Sequence, residues 1–367
     1  MKVLIVNPIL YTSETHEVKK VNSIKDTMIY DLCLAFVQKG IDVTLVGASD
    51  FKPIEDEDYP FEIKWLDAKF KKILFPNVIP YCPDIKRLVK KNSYDFIISS
   101  EVFSLNSLML ARRCSDRLIV WHELAKHNNI LKRIPSKLWY SVVARHFFNN
   151  TIVVARSREA KDFISHYCKN VSDTIVDHGV NLDKFTPETN KDNCFSVCSQ
   201  LIERKQIDKI IKAFDVYIKK YDSSSHLIIM GDGDEKENLM SLTAKLGIAG
   251  NVNFTGKVSH EVLIKKLQKS RAMLVYTKKD NNMVSIVESI AVGTPVITTS
   301  VPYNASYIKA NSLGIVNDNW NEDDLYEIAQ NSNYISACLE YRDKLSTLNR
   351  AETFIQIKEE NRLGEKK

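Results

Sequence analysis

AMLVYTKKDNNMVSIVESIAVGTPVITTS, residues 272–300, decides how this chain is read. It opens with a short apolar strand, Ala272 to Val275, and passes through a polar loop. A two-turn helix follows, then a second strand introduced by Gly293-Thr294-Pro295. Ligands of open α/β sheets bind beyond the carboxyl ends of the strands. Asp280 lies in the loop and Glu288 on the helix after seven intervening residues, so both carboxylates are expected to line that crevice. Two acids beside a helix N-terminus suit a ligand with sugar hydroxyls to fix and a negative group to hold. Glu288 also has a plainer explanation. Ser285-x-x-Glu288 has capping-box spacing, and Ile286, Val287, Ile290 and Ala291 form an apolar face from which Glu288 points away.

The same alternation of strand and helix fills the rest of the chain, as in parallel α/β sheets. In the first half KVLIVN leads to a helix from about Asp26 to Gln38, ended by Gly40. DVTLVGA, DFIISS, RLIVWH and TIVVA are the next strands. In the second half the strands are FSVCSQL, HLIIMG, NVNFTG, AMLVYT and PVITTS. At 367 residues the chain is comfortable for two domains, each able to bury a core. No period of about 20 to 50 residues marks a repeat architecture.

The pattern from Asp280 to Pro295 resembles the signature of the retaining GT-B glycosyltransferases of the large group 1 family, the glycosyltransferase family 4-like enzymes. That signature is Glu, seven residues, Glu, a small residue and a Gly-x-Pro turn. Here Asp280 replaces the first Glu, and Asn281, Asn282, Met283 and Val284 stand where the family has a glycine-containing loop near the sugar diphosphate. The resemblance implies the GT-B architecture, two Rossmann-like doubly wound domains facing a central cleft. Residues 1–172 would bind the acceptor and 173–333 the nucleotide sugar. DTIVDHGVNLDKFTP (Asp173 to Pro187) would connect them, and a helical segment over 334–367 would cross back to the first domain.

Further residues are carried over on the same resemblance. Lys205 falls at a family lysine and Gln200 at a family arginine, both facing the donor diphosphate, with Arg204 as the adjacent cation. An ammonium there neutralises a departing diphosphate; a surface lysine at a helix start would instead oppose the dipole. Gly231 and Gly233 resemble the Gly-x-Gly turn that lets the backbone approach the nucleotide, and Val258 lies in the loop that meets the base. His122 closes a strand where relatives carry a histidine that reaches the transferring sugar. Asp280 would hold the sugar's hydroxyls and Glu288 the ribose. Asp232-x-Asp234 also has the form of a metal motif of the other major glycosyltransferase fold, but the two-half pattern belongs to the metal-independent class, so neither metal nor cofactor is expected. The implied partners are a nucleotide-sugar donor and a glycan or lipid-linked acceptor, in cell-surface polysaccharide biosynthesis. A degenerate, non-catalytic GT-B scaffold is the alternative.

Composition excludes several other classes. A net charge of +5 is too small to argue for nucleic acid, no apolar run approaches the roughly 18 residues of a membrane span, and seven scattered cysteines suit a reducing cytoplasm. VNPILYTSE lacks the glycines of a nicotinamide site after the first strand. Between Tyr59 and Asn150, however, about 16 bases face about 7 acids, gathered in KFKKILFP, IKRLVKK and ILKRIPSKLWYSVVARHFF. Cations mixed with Trp139, Tyr140 and Phe147 on one helix suit peripheral attachment to an anionic membrane. The other reading is a solvated helix whose aromatics lie in the core.

Overall fold

The computed structural model describes residues 1–11, 21–25, 27–70, 79–280 and 282–364. Residues 71–76 of the basic KFKKILFP stretch, and Asn281, lie outside them. The chain forms two compact units, Met1–Asn181 with Thr347–Lys367, and Leu182–Ser346. These divisions fall later than the 172/173 and 333/334 of the sequence reading. After the sixth strand the backbone runs on beside the first sheet: Val171 bridges Val153, and the Val176 N–H donates to the Ala155 carbonyl at 3.0 Å. At the other end, helices Glu322–Gln330 and Asn333–Tyr341 pack on helices of the second unit.

Unit 1 is built on six parallel strands: β1 (Lys2–Val6), β2 (Asp42–Ala48), β3 (Glu62–Leu66), β4 (Phe96–Ser100), β5 (Leu118–His122) and β6 (Ile152–Ala155), in the order β3-β2-β1-β4-β5-β6. Sheets covered on both faces need strands that are apolar throughout, and Val3 to Val6, Phe96 to Ile98, Leu118 to Val120 and Ile152 to Ala155 are all buried. β3 is absent from the strands expected above. It is an edge strand with an exposed first residue and half-buried neighbours, so no apolar run announces it. The helix Thr347–Gly364 completes this core through Ala351, Phe354 and Ile357, with the Phe354 ring 5.4 Å from that of Trp121.

Unit 2 repeats the design with β7 (Cys194–Cys198), β8 (His226–Met230), β9 (Val252–Gly256), β10 (Ala272–Leu274), β11 (Val296–Thr298) and β12 (Gly314–Val316), ordered β12-β11-β10-β7-β8-β9 and parallel. β12, three residues at an edge, is again too short to see in the sequence. The strand order reverses between β1 and β4 in unit 1 and between β7 and β10 in unit 2. Each reversal opens a crevice at the carboxyl ends.

Two of the three aromatics of the basic segment belong to the core. Tyr140 is fully buried, and the Trp139 indole packs edge-on to Phe103 and donates to the Val102 carbonyl at 2.9 Å. Phe147 lies under the Arg112 guanidinium. Trp139 and Tyr140 are therefore not the surface that the cation–aromatic mixture suggests, while Phe147 stays 37% exposed. No described helix is long and apolar enough to cross a membrane.

Candidate functional site

In unit 2 the reversal of strand order brings together residues 75 apart in sequence. Beyond β7 a short 3₁₀ turn, Glu203–Lys205, ends at left-handed Gln206 before the helix Ile207–Lys220. Beyond β10 the loop carries Asp280. Its Oδ2 accepts from Lys205 Nζ at 2.8 Å and from Thr277 Oγ1 at 2.7 Å, and its Oδ1 accepts from Arg204 Nη1 at 3.0 Å. Lys205 is 8% exposed, so it is not the surface lysine of the plain reading. Burial alone would raise the Asp280 carboxyl, but the donors Lys205, Thr277 and Arg204 outweigh it and hold it below the usual carboxylate range. For Lys205 burial is the larger influence and pulls the ammonium down against Asp280. With two cations converging on one carboxylate, the geometry fixes Asp280 as charged and Lys205 as its counterion. The cations expected at a diphosphate are thus already held by the acid expected at the sugar.

Glu288 lies on the helix Val284–Ala291, whose N-cap is Met283 and carries no side-chain capping bond. Ser285 falls inside the first turn, two residues too late to cap, so the capping box does not form. The helix is buried on nearly every side, from Ile286 through Ala291, and Glu288 is 8% exposed, unlike the solvated residue of the plainer capping explanation. Its Oε1 lies 2.7 Å from His260 Nε2. His260, the first residue of the helix His260–Lys269, has no place in the sequence reading, which stops at half-buried Val258 in the loop before it. The loop before the Glu288 helix is braced by another unanticipated residue, Asn304. Its Oδ1 accepts the Met283 N–H at 2.7 Å, and its amide donates to the Met283 carbonyl at 3.3 Å. Beside them Asn282 has both amide atoms buried without a protein partner.

Gly231 and Gly233 are demanded by their neighbours. A Cβ at Gly231, whose φ is +143°, would lie 1.8 Å from the Ser199 carbonyl oxygen, and one at Gly233 would lie 2.4 Å from that of Leu201. The turn after β8 thus presses against the backbone that leads to half-buried Gln200 and on to Lys205, and close packing already accounts for both glycines. Asp232 accepts from the Gly233 N–H and lies 3.7 Å from Lys236. Among the described residues no three His, Cys, Asp or Glu side chains gather as a metal site.

Unit 1 has a crevice of its own. A cavity of about 440 Å³ opens at the carboxyl ends of β1, β4 and β5, lined among others by Asn7, Glu101, Trp121, Glu123, Arg156 and His178. Arg156 lies flat on the Trp121 ring, 3.6 Å from its centroid, and donates to Glu123 at 2.9 Å. The Arg156 charge is the main reason that the Glu123 carboxyl is held down at about 2. Half of the Glu123 side chain is exposed, so water weakens the pair. His122 is wholly buried behind the cavity, its ring stacked on Phe163. Glu101, in the left-handed region at φ 66°, takes His122 Nδ1 at 2.8 Å and the Glu123 N–H at 2.7 Å. That contact puts a proton on Nδ1, and Nε2 is buried with no protein partner. Arg156 Nε and His178 Nδ1 are likewise buried without partners. Glu101, Arg156 and His178 escaped the sequence reading; only the left-handed Glu101 marks the spot, and backbone angles are not written in sequence.

Residues 181–345 match the family model for "Glycosyl transferases group 1". Alpha-monoglucosyldiacylglycerol synthase of Streptococcus pneumoniae is 26% identical over 197 residues, 49% of this chain and 44% of that protein. The matched stretches thus span about half or less of the curated relatives' length. Among solved structures, sucrose-phosphate synthase of Thermosynechococcus elongatus superposes with a TM-score of 0.65 at 15% identity, covering 98% of both chains. Anabaena Alr3699/HepE in complex with UDP and glucose superposes with a TM-score of 0.60 at 13% identity, over 97% of this chain and 99% of that one. The two doubly wound units are those of the GT-B fold, and residues 181–345 are similar in sequence to the group 1 glycosyl transferases.

Proposed function

We propose that the protein is a retaining, metal-independent glycosyltransferase. It moves a sugar from a nucleotide donor held by unit 2 to a hydroxyl of a glycan or lipid-linked acceptor held by unit 1, in cell-surface polysaccharide biosynthesis. The observation that carries this reading is the Lys205–Asp280–Arg204 cluster at the reversal of strand order in the group 1-like domain. A diphosphate arriving there takes over Lys205 and Arg204. That releases the Asp280 carboxylate to the sugar's hydroxyls while the cations stabilise the leaving group. Glu288, steadied by His260, is assigned to the ribose, and the loop from Asn281 to Val284 to the sugar diphosphate. In unit 1, the Glu123–Arg156–His178 cluster that lines the cavity offers acceptors and donors to a hydroxyl-bearing ligand, and His122 behind it would act through Glu101.

The same cluster also favours a second reading, a non-catalytic GT-B scaffold. With Asp280 already bonded to both cations, only one net positive charge of the cluster is left for a donor. Thermal shift against UDP, GDP, ADP and their sugars, followed by a donor-hydrolysis assay, separates the two. Stabilisation by one diphosphate with slow hydrolysis of its sugar is the expected result, and silence in both assays establishes the scaffold. UDP is the first choice because a structural neighbour was solved with it.

Glu288→Gln tests the ribose assignment. It removes the charge and keeps a hydrogen-bonding group near His260, so the fold should persist while nucleotide affinity falls about tenfold, the loss of a bond to a charged group. Titration calorimetry with the stabilising nucleotide reads this directly. Unchanged affinity means that the ribose lies elsewhere.

A further inference from the structure

The segment after Leu131 is helical in three pieces, α over Ile134–Leu138, π over Trp139–Ala144 and α again over Arg145–Phe147. Every fourth residue on its inner side is buried: Ser136, Tyr140, Ala144 and Phe148. The outer side, two residues out of phase, is apolar as well. Ile134 and Leu138 are each 63% exposed, Val142 54%, and Leu131 extends the ridge at 74%. A surface helix normally turns its second face to water with polar side chains; an exposed apolar ridge marks an interaction site. Lys132, Arg133, Lys137 and Arg145 stand between these aliphatics, and no Asp or Glu occurs between Glu123 and Glu159. Leu131, Lys132 and Arg133 all have positive φ, 41°, 53° and 69°, at the tip that presents the first of them.

We propose that this face docks on an anionic lipid bilayer. The helix lies in the plane of the interface, with Leu131, Ile134, Leu138 and Val142 among the acyl chains and Lys132, Arg133, Lys137 and Arg145 at the headgroup phosphates. Two observations select a bilayer over a protein. Protein interfaces are anchored by Trp, Tyr and Arg seated in pockets, whereas here Tyr140 is buried, Trp139 packs half-buried against the core, and the ridge of Leu131, Ile134, Leu138 and Val142 is aliphatic. The unbroken positive charge along the ridge also complements a continuous negative surface. The surface stands on its own residues and does not depend on sugar transfer.

Co-sedimentation with vesicles of phosphatidylcholine alone, and of phosphatidylcholine with phosphatidylglycerol, tests this on the full chain. Wild type should bind the anionic vesicles and not the neutral ones. Each exposed aliphatic is worth a large part of its burial free energy, so the Ile134→Ser, Leu138→Ser, Val142→Ser triple variant should bind at least about tenfold more weakly. The Lys132→Ser, Arg133→Ser, Lys137→Ser variant should lose binding to a degree that salt mimics in wild type, since screening acts beyond about 8 Å. All substituted side chains are exposed, and circular dichroism checks that the variants fold. Equal binding to both vesicle types, no binding by wild type, or an aliphatic variant that binds as wild type would each overturn the proposal. So would a wild-type dimer that the aliphatic variant abolishes, which would make the ridge a contact between copies.

Discussion

Lys205→Met is expected to lower turnover of the nucleotide-sugar donor about 10²-fold, the usual cost of removing an electrostatic stabiliser of a leaving group. Methionine keeps most of the buried stem and removes only the ammonium. Asp280 then still has Arg204 Nη1 at 3.0 Å and Thr277 Oγ1 at 2.7 Å, so its carboxylate is not stranded. Stability should fall by about 1 to 3 kcal/mol, the contribution of a hydrogen bond to a charged group. The effect belongs in the rate more than in binding, because charge on the leaving diphosphate grows in the transition state. Steady-state kinetics with the donor identified by thermal shift would measure it. Unchanged kcat means that the diphosphate does not lie at Lys205. Gln200→Arg, which adds a cation on the same backbone turn, should leave the rate intact or raise it.

Asp280→Ala is expected to act on stability as strongly as Lys205→Met acts on rate. It leaves a buried ammonium with no counterion and a guanidinium beside it, a rearrangement that typically costs about 3 to 5 kcal/mol. Denaturant unfolding of the full chain, followed through the unit 2 transition, reads this loss; Asp280→Asn, which preserves neutral hydrogen bonds, should fall between. The pH dependence has a definite sign. The folded carboxyl is held below its ordinary value of about 3.9, so its stabilisation is fully present above that value and disappears as pH falls through the lower, folded one. The gap between wild type and Asp280→Ala should therefore close below pH of about 4 and stay constant above about 5. A gap that is absent at neutral pH would show that the three groups do not act as a buried ionic cluster.

The sequence by itself determined the repeated parallel architecture, because strands covered on both faces must be apolar throughout, as in KVLIVN and RLIVWH. It also marked the positions of Asp280, Lys205 and Arg204. What it could not determine is their embrace. Residues 75 apart meet only because β7 and β10 are neighbours, and strand order is a property of the packed sheet. Glu288 shows the same limit. The spacing Ser285-x-x-Glu288 encodes a possible cap, yet where the helix begins is set by Asn304 holding the Met283 backbone, and the carboxylate's partner is a histidine 28 residues away. The basic helix shows it most plainly. A period-four pattern specifies two apolar faces equally well, and only the core of unit 1, by taking in Tyr140 and Phe148, decided that Ile134, Leu138 and Val142 would be left outside.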